Sequence, residues 1–113
     1  MHGERDEIPR GTLEILILTT LAKGPARHGF EIAESILSIS EDVLQVEEGS
    51  LYPALQRLLL KGWIRDNWGK TEENRRARFY QLTAEGRRQL DREVERYRRV
   101  ARAVARVLAT APA

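Results

Sequence analysis

The sequence of 113 residues contains no cysteine and only two histidines, His2 and His28. Without cysteine there is no disulfide framework, thiolate metal site or cysteine nucleophile, and two isolated histidines lack the ligand spacing of a zinc or iron centre. A nucleophile elbow and a glycine-rich phosphate loop are missing as well. We therefore expect a protein that is not an enzyme and that needs no metal or cofactor.

Long hydrophobic runs are also lacking. No stretch approaches the ~20 apolar residues that cross a bilayer, and the start MHGERDEIPR is charged where a signal peptide is apolar. Hydrophobic residues make up 42% of the chain and charged residues 32%, which is typical of one globular domain with a modest core. We expect a soluble cytoplasmic protein that does not contact a membrane.

The net charge of +2 hides an asymmetry between the two halves of the chain. Residues 1 to 49 hold 4 Lys or Arg against 10 Asp or Glu, a net charge of −6. Residues 50 to 113 hold 15 against 7, a net charge of +8. The two halves are therefore expected to face different neighbours.

Two helices and a connector are predicted in the first half. Residues 12 to 22, TLEILILTTLA, place apolar side chains almost all round a helix, which is typical of a helix buried on two sides. The glycine and proline of residues 23 to 29 break that helix, and a second, shorter helical face follows from Phe30 to Leu37. The acidic connector of residues 38 to 48 carries three apolar residues that favour a short extended piece.

The stretch GSLYPALQRLLLKGWI, residues 49 to 64, predicts a third helix with five apolar residues on one face. The residues opposite that face are Ser50, Pro53, Gln56, Arg57 and Leu60, with Tyr52 on the flank. Ser50 is the expected N-cap, which puts Pro53 in the first turn, where its missing N–H removes no intrahelical bond. Gly62 is expected to end the helix.

After this helix the residue period changes from 3.6 to 2, which favours two strands, Trp63 to Trp68 and Arg78 to Leu82. The intervening GKTEENRRA, residues 69 to 77, predicts a long hairpin loop. Trp63 and Trp68 are expected to cover the small core. The cations of this hairpin are Lys70, Arg75, Arg76 and Arg78.

From Thr83 onward the pattern predicts one helix of about 27 residues, roughly 40 Å long. Its apolar residues recur at the alternating spacing of a heptad seam. The seam consists of Leu90, Val94, Tyr97, Ala101, Val104 and Leu108. Because so small a chain offers no cover for this seam, or for the second apolar side of the first helix at Leu13 and Leu18, we expect a homodimer.

Three helices followed by a two-stranded basic hairpin are the order of a winged helix-turn-helix, in which the third helix enters the DNA major groove. The fold class predicted is thus mainly α with a small β-hairpin and a long C-terminal dimerisation helix. Residues 9 to 82 form the DNA-binding domain and residues 83 to 109 the dimerisation helix. Residues 1 to 8 and 110 to 113 are expected to be flexible.

The third helix and the hairpin are the elements expected to contact double-stranded DNA. Gln56 and Arg57 are placed to reach base edges, because glutamine pairs with adenine and arginine with guanine. The plainer interpretation is that an amphipathic surface helix and a cationic loop are merely solvated. A winged helix that binds only other proteins is a further alternative, and it would show no salt-dependent binding to duplex DNA.

Three stretches resemble the PadR family of bacterial transcriptional regulators in their order and spacing. They are RGTLEILILTTLAKGPARHGFEIAESI, VEEGSLYPALQRLLLKGWI and RRARFYQLTAEGRRQL. The resemblance covers about residues 9 to 109, and its most specific elements are residues 49 to 55 and Tyr80 to Thr83 with Gly86. The single helix after the hairpin is similar to the short PadR subfamily.

The resemblance implies a homodimeric repressor whose last helix packs with the first and last helices of its partner. It places Ser50, Tyr52 and Pro53 where the third helix meets DNA, although Tyr52 is equally expected to be partly buried against the hairpin. His28, at the start of the second helix, either touches a phosphate or is an ordinary capping residue. Phe30 stands where the family usually has tyrosine, so any hydroxyl contact made there is absent.

Some short members of the family bind flat aromatic compounds between the subunits, against an aromatic residue of the last helix. In this sequence the last helix offers only Tyr97. The resemblance therefore implies a possible pocket at Tyr97 for a small aromatic effector that releases the repressor from DNA. Plain packing in the interface is the alternative for the same residue.

Overall fold

The computed structural model describes residues 8–9 and 11–112. Within that part, four α-helices and three β-strands follow one another along the chain. They are α1 (Thr12–Leu21), β1 (Arg27–His28), α2 (Gly29–Ile39), α3 (Glu48–Lys61), β2 (Ile64–Lys70), β3 (Arg76–Leu82) and α4 (Ala84–Leu108). The predicted fold class is confirmed. Of the ends predicted to be flexible, residues 1–7 and 113 lie outside the described residues.

The helix α1 is the centre of the hydrophobic core, in contact with the other three helices. Its Ile17 and Leu18 are fully buried together with Ile32 of α2 and with Leu55 and Leu58 of α3. The prediction that Leu18 lies in a dimer interface is wrong, because its side chain is 0% exposed on the single subunit and has no surface to offer a partner. The two-sided apolarity of α1 is thus used within one chain.

The helix α2 begins with a capping box at His28. Its Nδ1 accepts a hydrogen bond from the main-chain N–H of Glu31 at 3.4 Å, and its own main-chain N–H donates to Glu31 Oε1 at 3.1 Å. Ile32 and Ile36 then face the core. Phe30, which was predicted on that face, is 64% exposed, because the helical period puts it on the side of α2 away from Ile32 and Ile36.

The connector between α2 and α3 contains the extended piece that the sequence predicts. Leu44 forms a β-bridge, and both Leu44 and Val46 pack against the core. Val43, the third apolar residue of this segment, is exposed. The connector therefore ties the start of α3 to the core through two side chains.

The helix α3 begins earlier than predicted. Glu47 is the N-cap, and its carbonyl accepts hydrogen bonds from the main-chain N–H groups of Ser50 and Leu51 at 3.0 and 2.9 Å. Ser50 is therefore inside the first turn and not the N-cap. Pro53 falls in the second turn, so the exposed carbonyl of Gly49 lacks the N–H that would normally pair with it. The prediction that Gly62 ends the helix is confirmed, with φ at 77°.

The sheet contains a third strand that was not predicted. The strand order is β1-β3-β2, all antiparallel, and β1 pairs Arg27 with Tyr80 and His28 with Phe79. A strand of two residues has no period for a sequence pattern to reveal. Its place at the edge of the sheet fixes the start of α2 beside β3.

The hairpin is longer in strand and shorter in loop than predicted. β2 and β3 pair from Ile64 opposite Leu82 to Lys70 opposite Arg76, which leaves only residues 71–75 in the loop. Thr71 closes that loop by donating its main-chain N–H to the Arg75 carbonyl at 2.8 Å. Lys70 and Arg76 are therefore strand residues and not loop residues, and the sheet holds their main chains in a fixed register.

The helix α4 starts where the sequence predicts. Thr83 is its N-cap, and the Thr83 Oγ1 accepts a hydrogen bond from Gly86 N–H at 3.0 Å while donating to the Gly62 carbonyl at 2.7 Å. Gly86 lies directly against the main chain of Trp63, and a Cβ at residue 86 would overlap the Trp63 carbonyl. The base of the hairpin and the first turn of α4 therefore form one close-packed junction.

Among the described residues, the core covers only the first half of α4. Leu90 is buried against the core and Val94 packs beside it, whereas every residue from Glu95 to Pro112 is exposed. The exposed part includes the remaining seam residues, Tyr97, Ala101, Val104 and Leu108, with Val100 and Val107 beside them. About four further turns of helix with apolar side chains thus extend beyond the core.

Candidate nucleic-acid interface

The outer face of α3 is formed by an uncharged strip. Leu51, Ala54, Leu55 and Leu58 are buried, so the helical period points Pro53, Gln56 and Leu60 directly away from the core. All three are exposed. This strip, consisting of Pro53, Gln56 and Leu60, is called the outer strip below.

Arg57 lies on one flank of α3 and not on the outer strip. Its Nε donates to Glu14 Oε2 of α1 at 3.2 Å, and Lys61 Nζ donates to the other oxygen, Oε1, at 3.1 Å. The Glu14 side chain is mostly buried while the two cations are about half exposed. The carboxylate therefore neutralises part of the charge that was predicted to reach base edges, and it fixes the Arg57 flank of α3 to α1.

The opposite flank of α3 carries Tyr52, which packs on the start of α2. A Cβ on Gly29 would lie 2.8 Å from the Tyr52 hydroxyl, so the close approach depends on glycine at residue 29. Tyr52 is about half exposed, and its hydroxyl thus lies at the amino-terminal end of α2. Tyr52 is therefore partly buried, with its hydroxyl against the start of α2, and its contact with DNA stays a prediction.

The ring of His28 is enclosed by aromatic neighbours beside Tyr52. It stacks on Phe30 with ring centroids 6.4 Å apart and meets the edge of Phe79 at 5.4 Å. Its Nδ1 is used by the helix cap, and its Nε2 lies 3.6 Å from Glu31 Oε1. The contacts of His28 therefore support its role as a capping residue of α2.

The cations of the hairpin fall into two groups. Arg78 donates through Nε to Asp66 Oδ2 at 2.7 Å, and this hydrogen bond raises the pKa of the guanidinium above its ordinary value. Arg76 instead stacks on the exposed ring of Trp68, 4.3 Å from its centroid. Lys70 and Arg75 form no ion pair with any residue that the structure describes.

Trp68 was predicted to cover the core, and that prediction is wrong. Its side chain is 60% exposed, because it lies far along β2 from Ile64, the strand residue that enters the core. Trp63, nearer the junction with α4, does pack against the core. The hairpin therefore displays an exposed aromatic ring that carries an arginine on its face.

One open groove of about 580 Å³ brings the flank of α3, the start of α2 and the hairpin together. The residues that line it are His28, Gly29, Phe30, Tyr52, Trp68, Thr71, Glu73, Arg75, Arg76, Ala77, Arg78 and Tyr80. Three guanidinium groups and one carboxylate line this groove, and Asp66 pairs with one of the three, Arg78, so Arg75 and Arg76 supply its excess positive charge. Burial raises the pKa of the Tyr80 hydroxyl at its base.

The predicted DNA-contacting residues are divided between two sides of α3. His28, Tyr52, Arg75, Arg76 and Arg78 line the groove just described. A second hollow, on the α1 side, is lined in part by Ser50, Pro53 and Arg57. Gln56 and Lys70 line neither of these two concavities.

Residues 17–92 match the transcriptional regulator PadR-like family. The chain belongs to this family. Because the PadR-like proteins are transcriptional regulators, this chain is a transcriptional regulator as well. Within residues 8–9 and 11–112 of this PadR-like chain, no helix combines the length and the hydropathy needed to cross a membrane.

Solved structures of similar proteins agree with this assignment. A transcriptional regulator from Clostridium thermocellum is 26% identical, with a TM-score of 0.77, over 86% of this chain and 93% of that chain. A PadR family transcription regulator from Clostridium difficile is 29% identical, with a TM-score of 0.72, over 87% of this chain and 99% of that chain. Among curated proteins, "Uncharacterized protein X" of Lysinibacillus sphaericus is 29% identical over 96 residues, which are 85% of this chain and 87% of the relative.

Two residues that hold arginines of the candidate interface in this PadR-like regulator were not predicted from the sequence. Glu14 reaches Arg57 across 43 residues of chain, and Asp66 reaches Arg78 across the hairpin. A single glutamate in an apolar helix was the available signal for Glu14, since a charge on a buried element needs a partner. Asp66 becomes a partner of Arg78 only when the strand register is known.

The predicted dimer residues differ in how much surface they keep on the single subunit. Leu13 and Leu90 are almost fully buried in the core of this PadR-like subunit, and Val94 packs against that core and is partly covered. These three residues therefore keep little surface for a partner subunit. Tyr97, at 46% exposure, begins the uncovered part of the seam. The role of this part as an interface stays a prediction, as does a pocket for an effector at Tyr97.

Proposed function

We propose that this transcriptional regulator binds operator DNA as a homodimeric repressor, with α3 in the major groove and the hairpin as the wing. The observation that carries the proposal is the cationic groove shared by Tyr52, the start of α2 and the wing arginines. These three elements are the ones that a winged helix presents to duplex DNA. We also propose that the protein is located in the cytoplasm, where it meets its DNA.

The wing supplies the sequence-independent part of the proposed binding. Lys70 and Arg75 have no ion pair among the described residues, and Arg76 is held on the face of Trp68, so their charges are available to phosphates. Arg78 contributes less in this proposal because Asp66 already pairs with it. The start of α2 adds main-chain N–H groups, which favour phosphate at the positive end of a helix.

A second copy of the chain is the proposed cover for the outer part of α4. The seam from Tyr97 to Leu108 has apolar side chains at heptad spacing, and its residues are all exposed on the part of the subunit that the structure describes. Pairing of two such helices would hold two α3 helices at a fixed separation, about one helical turn of DNA, or ~34 Å, if α4 sets the spacing. Occupation of an operator by this pair would repress the adjacent promoter.

Release by a small aromatic effector at Tyr97 is the regulatory part of the proposal. Tyr97 is the one aromatic residue of α4, and its ring is partly exposed at the start of the uncovered seam. A hollow between α1 and α4 is lined in part by Thr19, Leu90, Val94 and Arg98. Val94 lies about one helical turn before Tyr97, so this hollow is close to the Tyr97 ring. A planar compound stacked on Tyr97 would change how the two seams meet.

A gel-shift titration with the DNA upstream of the protein's own gene tests the proposed function. The wild-type protein is expected to retard this duplex, and Arg76→Ala is expected to weaken binding to all duplexes alike, because Arg76 contacts phosphate. Arg106→Ala removes an equal charge from the last turn of α4 and serves as the control. A protein that retards no duplex at any salt concentration would support the alternative of a winged helix that binds only proteins.

A further inference from the structure

The outer strip of α3 carries an exposed leucine where a surface helix normally carries a polar residue. Leu60 is 78% exposed, more than any other large apolar side chain among the described residues. It lies four residues, or one turn, beyond Gln56 on the same face, and Pro53 lies three residues before Gln56. The strip therefore presents an apolar group, an amide and a second apolar group in a row.

The strip also lacks a charge, although two cations stand close to it in sequence. Arg57 and Lys61 are both turned to the α1 flank, where the two oxygens of Glu14 each accept one hydrogen bond. An arginine that reads a base normally does so by a bidentate contact with guanine O6 and N7. Glu14 holds the Arg57 Nε on the α1 flank, so Arg57 lies beside the row formed by the outer strip and not within it.

We infer that α3 reads adenine·thymine pairs through Gln56 and Leu60, and that Arg57 is not a base-reading residue. The inference rests on the proposed function and names the base pairs that the same site recognises. The Gln56 amide matches the adenine N6 donor and N7 acceptor, while the Leu60 side chain packs against the C5-methyl group of thymine. Arg57 holds the helix on α1 and tolerates any base.

The separation of the two side chains fits this assignment. Four residues of helix rise about 6 Å. Successive base pairs rise about 3.4 Å, so an α3 that lies along the groove brings Gln56 and Leu60 to base pairs about two steps apart. The operator half-site is thus expected to contain an adenine and a thymine at that spacing, read from the major-groove side.

Single-atom changes in the DNA test the inference. A duplex selected from a random library by the full-length protein is scanned by replacing each thymine with uracil, which removes only the C5-methyl group. Each half-site is expected to contain one thymine whose replacement, made singly, weakens wild-type binding about three- to fourfold. This is the effect of losing one buried methyl group. Leu60→Ala is expected to bind the thymine and uracil duplexes equally.

The same scan with 7-deaza-adenine, which lacks the N7 acceptor, tests Gln56. Each half-site is expected to contain one adenine whose replacement, made singly, lowers the affinity of the wild-type protein about tenfold. Gln56→Ala is expected to show no such loss. Ile39→Ala, another exposed apolar residue that lies outside α3, is the control and is expected to behave as wild type in both scans. Circular dichroism checks that each variant folds.

The outcomes separate this inference from the proposed function. Failure of the wild-type protein to select or bind any duplex rejects the proposed function and the inference with it. Tight binding that is insensitive to every uracil and 7-deaza-adenine replacement rejects the inference alone. Strong dependence on one guanine that is lost in Arg57→Ala also rejects it, because Arg57 would then be the base reader.

Discussion

The main chain of Trp63 lies in the space that a side chain at Gly86 would need. A Cβ built on Gly86 would be only 2.8 Å from the Trp63 carbonyl carbon, closer than real Cβ atoms approach other atoms. The contact joins the base of the wing to the first turn of α4, where Thr83 also bonds the Gly62 carbonyl. One glycine thus couples the proposed DNA-binding domain to the proposed dimerisation helix.

Gly86→Ala is expected to destabilise the protein by about 3 kcal/mol or more, because neither main chain can move without breaking the junction. The free energy of unfolding in urea measures the effect. Gly49→Ala is the control, since nothing lies within 4 Å of a Cβ at that helical position. There alanine is expected to stabilise the protein by up to about 1 kcal/mol, and equal losses at the two glycines would contradict the account.

Glu14→Gln is expected to release Arg57 and Lys61 from α1. The free energy of unfolding should fall by no more than about 1 kcal/mol, because both ion pairs are partly exposed. Binding to all duplexes should tighten and become more salt-dependent, since two cations per subunit lose their carboxylate. Glu34→Gln, an exposed glutamate of α2, is the control for the change in net charge. Duplex affinity that changes equally in the two variants would argue against a specific role for Glu14.

Val104→Glu is expected to separate the proposed dimer. Val104 is exposed on the single subunit but would be buried between two seams, where an unpaired carboxylate is costly. We expect the dimer dissociation constant to rise about tenfold or more, measured by sedimentation equilibrium. Ala103→Glu introduces the same group beside the seam and should leave the association unchanged. A wild-type protein that sediments as a stable monomer would contradict the proposed assembly.

Tyr97→Ala tests the proposed effector pocket. Titration of the wild-type protein with a panel of phenolic and drug-like aromatic compounds is expected to change its intrinsic fluorescence for at least one compound. The variant should lose that response because the stacking ring is gone. If no compound shifts either protein, or if both respond alike, an effector pocket at Tyr97 is rejected and interface packing remains.

Sequence patterns place the long, regular elements well. α4 begins after the predicted cap, Thr83, and ends at Leu108. Its apolar heptad pattern repeats over many turns, and a pattern of that length is compatible only with a helix. Gly62 ends α3 as predicted, since its positive φ favours glycine. Where the signal is short or ambiguous the prediction is wrong, as for the two residues of β1 and for Ser50, which competes with Glu47 as a helix start.

The contacts that decide which cations are available could not be predicted locally. Arg57 and Arg78 look like free surface charges in the sequence, but their carboxylate partners come from other elements, α1 and β2. The exposure of Trp68 likewise depends on how far β2 extends beyond the core. Tertiary packing, and not the local pattern, thus selects Lys70, Arg75 and Arg76 as the candidate phosphate contacts.

The salt dependence of duplex binding tests the central claim most directly. If Lys70, Arg75 and Arg76 of two subunits each neutralise one phosphate, the logarithm of the association constant should fall against the logarithm of salt concentration with a slope of about −5. Arg76→Ala should make that slope shallower by about 2, one for each subunit. A slope near zero, or a slope that Arg76→Ala leaves unchanged, would contradict DNA binding through the wing.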